Sequence, residues 1–189
     1  MGRPRVIDRE AVLEAAEIVV GRDGAASLTL DAVAAEAGIS KASVIYDCGS
    51  KESLIRAVIE RRVRLDSEKI QAALDRLGNV PNARIRGRIE AAAHFDDNPA
   101  EAVALNLCSA LAHDAELRSR MQKLCGDEIE AIMCDAENPG NAMVAFLAVE
   151  GLKIMEYFGF LRLTSEGRAT VLKDIAALVE PSSGTGASS

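Results

Sequence analysis

The 189-residue chain is 49% hydrophobic and only 3% aromatic, which excludes a disordered polymer and favours packed helices over a β-sandwich. Its net charge of −7 excludes binding to nucleic acid over the whole surface. The charge is uneven: residues 1–64 hold ten Lys/Arg against ten Asp/Glu, and residues 65–189 hold twelve against nineteen.

In chain order, "MGRPR" sets Arg3 and Arg5 around a proline, an extended basic arm suited to a narrow minor groove. Three helix starts then share one local grammar: an apolar residue, a capping residue, three more residues, then valine. The sets are Ile7, Asp8, Val12; Leu28, Thr29, Val33; and Ile39, Ser40, Val44. Each pairs a side-chain N-cap with a hydrophobic staple. They predict a helix from Arg9 to Arg22 stopped by Gly24, a second from Leu30 to Ala37 stopped by Gly38, and a short third from Lys41 that ends before Gly49. A fourth helix is expected from Ser50 to Leu77. Its charged middle, "ERRVRLDSEK", suits a rod that leaves one small core and enters another.

"GNVPN" at 78–82 reads as a turn, and further helices are expected near 83–95, 100–112, 115–134, 139–161 and 165–179. The fold class is therefore all-α, with about nine helices. Residues 1–64 form one predicted domain and 65–180 a second, followed by a tail, "PSSGTGASS", expected to be disordered. The segment 142–161 is long and apolar, but Glu150, Lys153 and Glu156 interrupt it at helical spacing, so no membrane span is expected. The start of the chain has no apolar signal-peptide core, which points to a cytoplasmic protein.

Helices two and three are joined by "AGIS", a turn short enough for a helix-turn-helix. Ala34, Gly38 and Val44 supply the small contact residue, the turn glycine and the inward apolar residue that this motif needs. The second helix of such a motif enters the DNA major groove. Lys41 and Ser43 are donors at its groove end, and Ala42 permits close approach or contact with a thymine methyl. Thr29, Ser40, Ser50 and Lys51 lie at helix N-termini, where hydroxyls, a cation and free N–H groups can meet phosphate.

"LTLDAVAAEAGISKASVIYDCGSKESLIRAV" resembles the DNA-binding domain of TetR-type transcriptional regulators, over roughly residues 8–60. "AVEGLKIMEYFGFLRLTSEGRATVLKDIAALV" is similar to the last two helices of one TetR-type subgroup, which form a four-helix bundle across a dimer. The resemblance implies a homodimer, a palindromic double-stranded DNA operator, and an effector pocket among helices four to eight. It implies a ligand-responsive regulator, most often a repressor. Tyr46 keeps an aromatic position that in the family commonly reaches a phosphate or base. Three residues depart from the pattern: Ile45 stands where tyrosine is usual, Asp47 where histidine or an aromatic is usual, and Cys48 where phenylalanine is usual. Asp47, at the last turn of helix three, is expected to pair with Lys51 or to accept from a cytosine N4 amine. An alternative is a helical dimer that keeps the fold, has lost operator binding, and acts as an interaction protein.

Candidate residues for a pocket holding a small, largely apolar effector are Phe95, Leu105, Cys108, Met121, Met133, Phe146 and Met155. Candidates for the dimer interface are Val144, Leu147, Gly151, Phe158, Leu172, Ile175 and Val179. His94 with Asp96 and Asp97, and His113 with Asp114, lack regular ligand spacing, so no metal is expected. Among the four cysteines no pair has zinc or redox spacing, and Cys125 and Cys134 lie too far apart on one helix to bridge. No catalytic constellation or cofactor motif is present, so neither an enzyme nor a cofactor is expected.

Overall fold

The structure, a computed structural model, describes residues 8–93, 103, 107 and 114–180. Eight α-helices are found among them: α1 (Arg9–Asp23), α2 (Leu30–Glu36), α3 (Lys41–Cys48), α4 (Lys51–Leu77), α5 (Ala83–Ala93), α6 (Ala115–Asp135), α7 (Pro139–Tyr157) and α8 (Ser165–Ala177). The fold class is all-α, as expected. A short 3-10 turn, Ala25–Ser27, follows α1. Of the helix expected near 100–112, only Val103 and Leu107 are described; both are helical and buried. The basic arm and the tail at 181–189 lie outside the described residues.

The caps are the ones the local sequence calls for. Asp8, Thr29, Ser40, Asn138 and Thr164 each accept a backbone N–H from the first turn that follows. Each such cap stabilises its helix by about 1 kcal/mol. Gly49 ends α3 at φ 74°, a left-handed conformation that costs other residues energy.

The chain divides into two compact units. The first contains residues 8–66 together with 103, 107 and 114–118; the second contains 67–93 and 119–180. In the first unit α1 packs on α2, and α2 on α3. Its interior is aliphatic: Val12, Val19, Leu28, Val33, Val44, Leu54, Val58 and Ile59 are all nearly inaccessible. Burying each of these contributes about 1.5–3 kcal/mol.

Two charged clasps reinforce the first unit. Glu17 is buried, and Arg61 Nη1 meets its carboxylate at 2.8 Å with Arg62 at 3.5 Å. Arg61 also reaches Glu10 at 2.6 Å. A buried carboxylate is tolerated only with such partners. In the second clasp, Arg56 binds Asp114 Oδ2 at 2.6 Å while Asp114 Oδ1 caps α6 by accepting from Glu116 and Leu117. The Leu117 N–H and the Arg56 guanidinium together hold the Asp114 carboxyl below its ordinary range.

The second unit is built around α5, which packs on α7 and α8. Ile85, Ile89 and Ala92 of α5 meet Ile132, Phe146, Val149 and Leu152, together with Leu172, Ile175 and Val179. The last three, expected at a dimer interface, are thus spent on the core of their own protomer. The reason is which face of α8 meets α5: α8 runs antiparallel to α5, with Val179 beside Asn82 and Arg168 beside Ala92, and Leu172, Ile175 and Val179 lie on the side that packs into the cluster. Gly87 lets α4 and α5 approach closely, since a Cβ there would stand 3.2 Å from the Leu74 side chain.

Asn82 joins three segments. It is buried, at φ 58°; its amide donates to the Val179 carbonyl at 2.9 Å and its Oδ1 accepts from Glu137 N at 2.9 Å. Replacing it by glycine keeps the backbone conformation and abandons both bonds. Each orphaned group costs about 1–3 kcal/mol. Replacing it by alanine adds about 1 kcal/mol for the left-handed backbone. Urea denaturation is expected to rank stability as wild type, then Asn82→Gly, then Asn82→Ala; equal loss in the two variants would contradict a role for the backbone.

Candidate nucleic-acid interface

Helix α3 has eight residues, too few to hold itself together in water. It is fixed by one inward face. Val44 and Cys48, one turn apart, are buried, and every other side chain on the helix is at least partly accessible. Tyr46 is 88% exposed and Ile45 is 43% exposed. Lys41 and Ala42 are exposed as well. An apolar side chain and a phenol standing in solvent on a capped, rigid helix form a surface that gains by being covered.

Ser40 caps α3 by accepting from Ser43 N at 3.1 Å, and the two hydroxyls lie 2.8 Å apart. Thr29 accepts from Ala32 N at 3.0 Å, which uses a lone pair and leaves its proton available for an anion. Ser50 caps α4 by accepting from Ser53 N at 3.1 Å, and its proton points to the Ser53 hydroxyl at 3.2 Å. Thr29, Ser40 and Ser50 therefore stand at the N-termini of α2, α3 and α4. Lys51 is the first residue of α4.

Two electrostatic details were not visible in the sequence. Lys41 Nζ sits 2.8 Å from Asp31 Oδ2, with both side chains more than half exposed. The two residues are ten apart on different helices, so no local spacing signals the pair. Arg22 likewise binds Glu36 of α2 at 2.8 Å. Exposed pairs of this kind contribute about 0–1 kcal/mol and yield readily to a stronger anion.

The expected pairing of Asp47 with Lys51 is not found. Asp47 instead accepts from Cys48 Sγ at 3.6 Å. Gly49, at positive φ, breaks the helix between them, so residues four apart no longer share a helical face. Cys48 fills the inward position, and its thiol is pushed up first by burial and then by the neighbouring Asp47 charge.

Of the expected effector residues, Phe146, Met155, Met121 and Met133 are described. Phe146 is buried in the core with Arg88 stacked 5.2 Å over its ring, whereas Met155 is exposed. They are nine residues apart on α7, two and a half turns, hence on opposite faces. Met121 and Met133 are half-buried. Phe95, Leu105, Cys108, His94, His113, Arg3 and Arg5 lie outside the described residues. On α7, Val144 and Leu147 are exposed, Phe158 is exposed at its end, and Gly151 lies between them. With Ile154 they form an uncovered stripe at spacings of three and four residues. Among the described residues no cluster of potential metal ligands occurs, and no helix is long and apolar enough to cross a membrane.

Comparison with known proteins fits this geometry. Residues 12–58 match the family of bacterial regulatory proteins, tetR family, and residues 82–180 match the tetracyclin repressor-like C-terminal domain. No curated protein matches. Among solved structures, a TetR transcription regulator from Haloarcula marismortui superposes with a TM-score of 0.71 at 18% identity, covering 90% of this chain and 95% of that one. The multidrug binding protein EbrR complexed with ethidium gives 0.64 at 20% identity, covering 88% and 96%. Its complex with malachite green gives 0.63 at 19%, covering 93% and 99%. With a helix-turn-helix at one end and a matching helical domain at the other, the chain belongs to the TetR family of DNA-binding transcriptional regulators.

Proposed function

We propose that the protein is a homodimeric, ligand-responsive repressor that binds a palindromic operator and is released from it by a small molecule. The observation that carries this reading is the outward face of α3, where Lys41, Ala42, Ser43 and Tyr46 stand clear of the core. Inserted in a major groove, this face offers a cation, a small apolar contact and a phenol to base edges and phosphates. Thr29, Ser40, Ser50 and Lys51 position the head on the backbone, and Arg3 and Arg5 extend to the minor groove.

Dimerisation is assigned to the uncovered stripe of α7, Val144, Leu147, Gly151 and Phe158. Glycine at the centre allows close approach of the partner helix. The effector is assigned to the unit that begins after residue 66, and the dyes named with EbrR support a ligand-holding role for this fold. Release follows if the effector binds more tightly to a form whose two heads are wrongly spaced.

Selection from random duplex DNA tests the reading. The protein is expected to enrich a two-fold symmetric site with half-sites about one helical turn apart, and Tyr46→Ala to weaken binding to it at least tenfold with an unchanged melting temperature. Enrichment of no symmetric site would favour the interaction protein without an operator, the alternative that the departures at Ile45, Asp47 and Cys48 motivate. A second variant probes the Lys41–Asp31 pair. Asp31→Asn frees Lys41 and removes a charge that repels phosphate, so affinity for DNA of any sequence is expected to rise several-fold at low salt and to converge with wild type as salt increases. A change confined to one base pair would contradict that account.

A further inference from the structure

The second unit contains a cavity of about 560 Å³ between the end of α4, α5 and α8, within the size range of small-molecule sites. None of the effector residues expected from the sequence lines it. Its floor is aliphatic, with Leu77, Ile89 and Leu172 among the lining residues. Its charged groups divide into committed and uncommitted ones. Arg168 is held by Glu156 at 3.0 Å and by the Ala92 carbonyl at 2.8 Å. Glu90, the acid in the lining, is held by Arg76 at 2.8 Å.

Arg86 and Lys173 also line the cavity and have no carboxylate partner among the described residues. Because α5 and α8 are antiparallel, with residue 82 beside 179 and residue 92 beside 168, Arg86 lies at the level of residues 173–176. The two cations therefore share one end of the cavity. In a chain of net charge −7, two cations without a carboxylate partner over an apolar floor form a local inversion of the surface charge.

We infer that this cavity binds an amphipathic anion, a monocarboxylate with an apolar body. The carboxylate lies between the Arg86 guanidinium and the Lys173 ammonium, and the body lies along Ile89, Leu172 and Leu77. Arginine supplies a planar pair of donors and lysine a point charge, the combination that separates a carboxylate from a neutral alcohol of equal length. Only the effect of this ligand on DNA rests on the ligand-responsive reading above; its binding does not.

The test is calorimetric titration of the full chain with decanoate, with decanol and decyltrimethylammonium as matched probes. Decanoate is expected to bind once per protomer, at least tenfold more tightly than decanol, and decyltrimethylammonium more weakly still. Arg86→Gln with Lys173→Gln is expected to remove the preference for decanoate over decanol without lowering the melting temperature. Ala169→Trp, which fills the cavity from α8, is expected to block both probes. Equal binding of decanoate and decanol, no binding of decanoate, or a preference that survives the double substitution would overturn the proposal. Repeating the titration with the selected operator separates the two claims. Decanoate that binds with the predicted selectivity but leaves operator affinity unchanged supports the site and removes its effector role.

Discussion

A short helix cannot both read a partner and hold itself in place. In α3 this conflict is resolved by giving two residues, Val44 and Cys48, to the interior and leaving the others accessible. Helix α2 packs on α3 and helps to bury those two side chains. Leu28 and Val33 are fully buried, the Thr29 and Ser40 caps fix where α2 and α3 begin, and Gly38 permits the sharp turn between them. The clasp of Glu17 with Arg61 and Arg62 then holds α1 against α4. A cysteine where the family usually has a phenylalanine is consistent with this economy: it is small, buried and hydrogen-bonded to Asp47.

The second unit solves a different problem. It gathers helices that are distant in sequence, and α5 is its axis. Asn82 ties the start of α5 to the chain before α7 and to the end of α8, while Arg168 ties the other end of α5 to α8 and α7. These links set α8 antiparallel to α5, with Leu172, Ile175 and Val179 in the core and with Arg86 and Lys173 lining the same cavity. The apolar stripe of α7 stays uncovered.

What the sequence disclosed follows from how local each feature is. Caps at Asp8, Thr29 and Ser40 depend on a side chain and the three residues after it, so they can be read directly, and with them the helix-turn-helix. Faces are harder. Helix α7 carries apolar residues on opposite faces, with Ala142, Phe146 and Val149 buried but Val144 and Leu147 exposed; both sets recur at helical spacing, so the pattern alone does not say which face is covered. Leu172, Ile175 and Val179 have the spacing of either an interface or a core; only the tertiary packing of α8 decides. The Lys41–Asp31 pair and the sharing of one cavity by Arg86 and Lys173 are tertiary, and nothing near these residues in the chain announces them. Asp47 with Lys51 failed for the opposite reason: the spacing was right, but Gly49 ends the helix between them.

If α3 enters the major groove with its exposed face toward the bases, binding must depend on the major-groove edges of the operator. Methylation interference on the selected operator tests it most directly, because methylation at guanine N7 alters the major-groove edge alone. Two patches of interference are expected, symmetric and about one helical turn apart, and both are expected to vanish when Tyr46 is replaced by alanine. Binding that is indifferent to guanine N7 methylation throughout the site would contradict it.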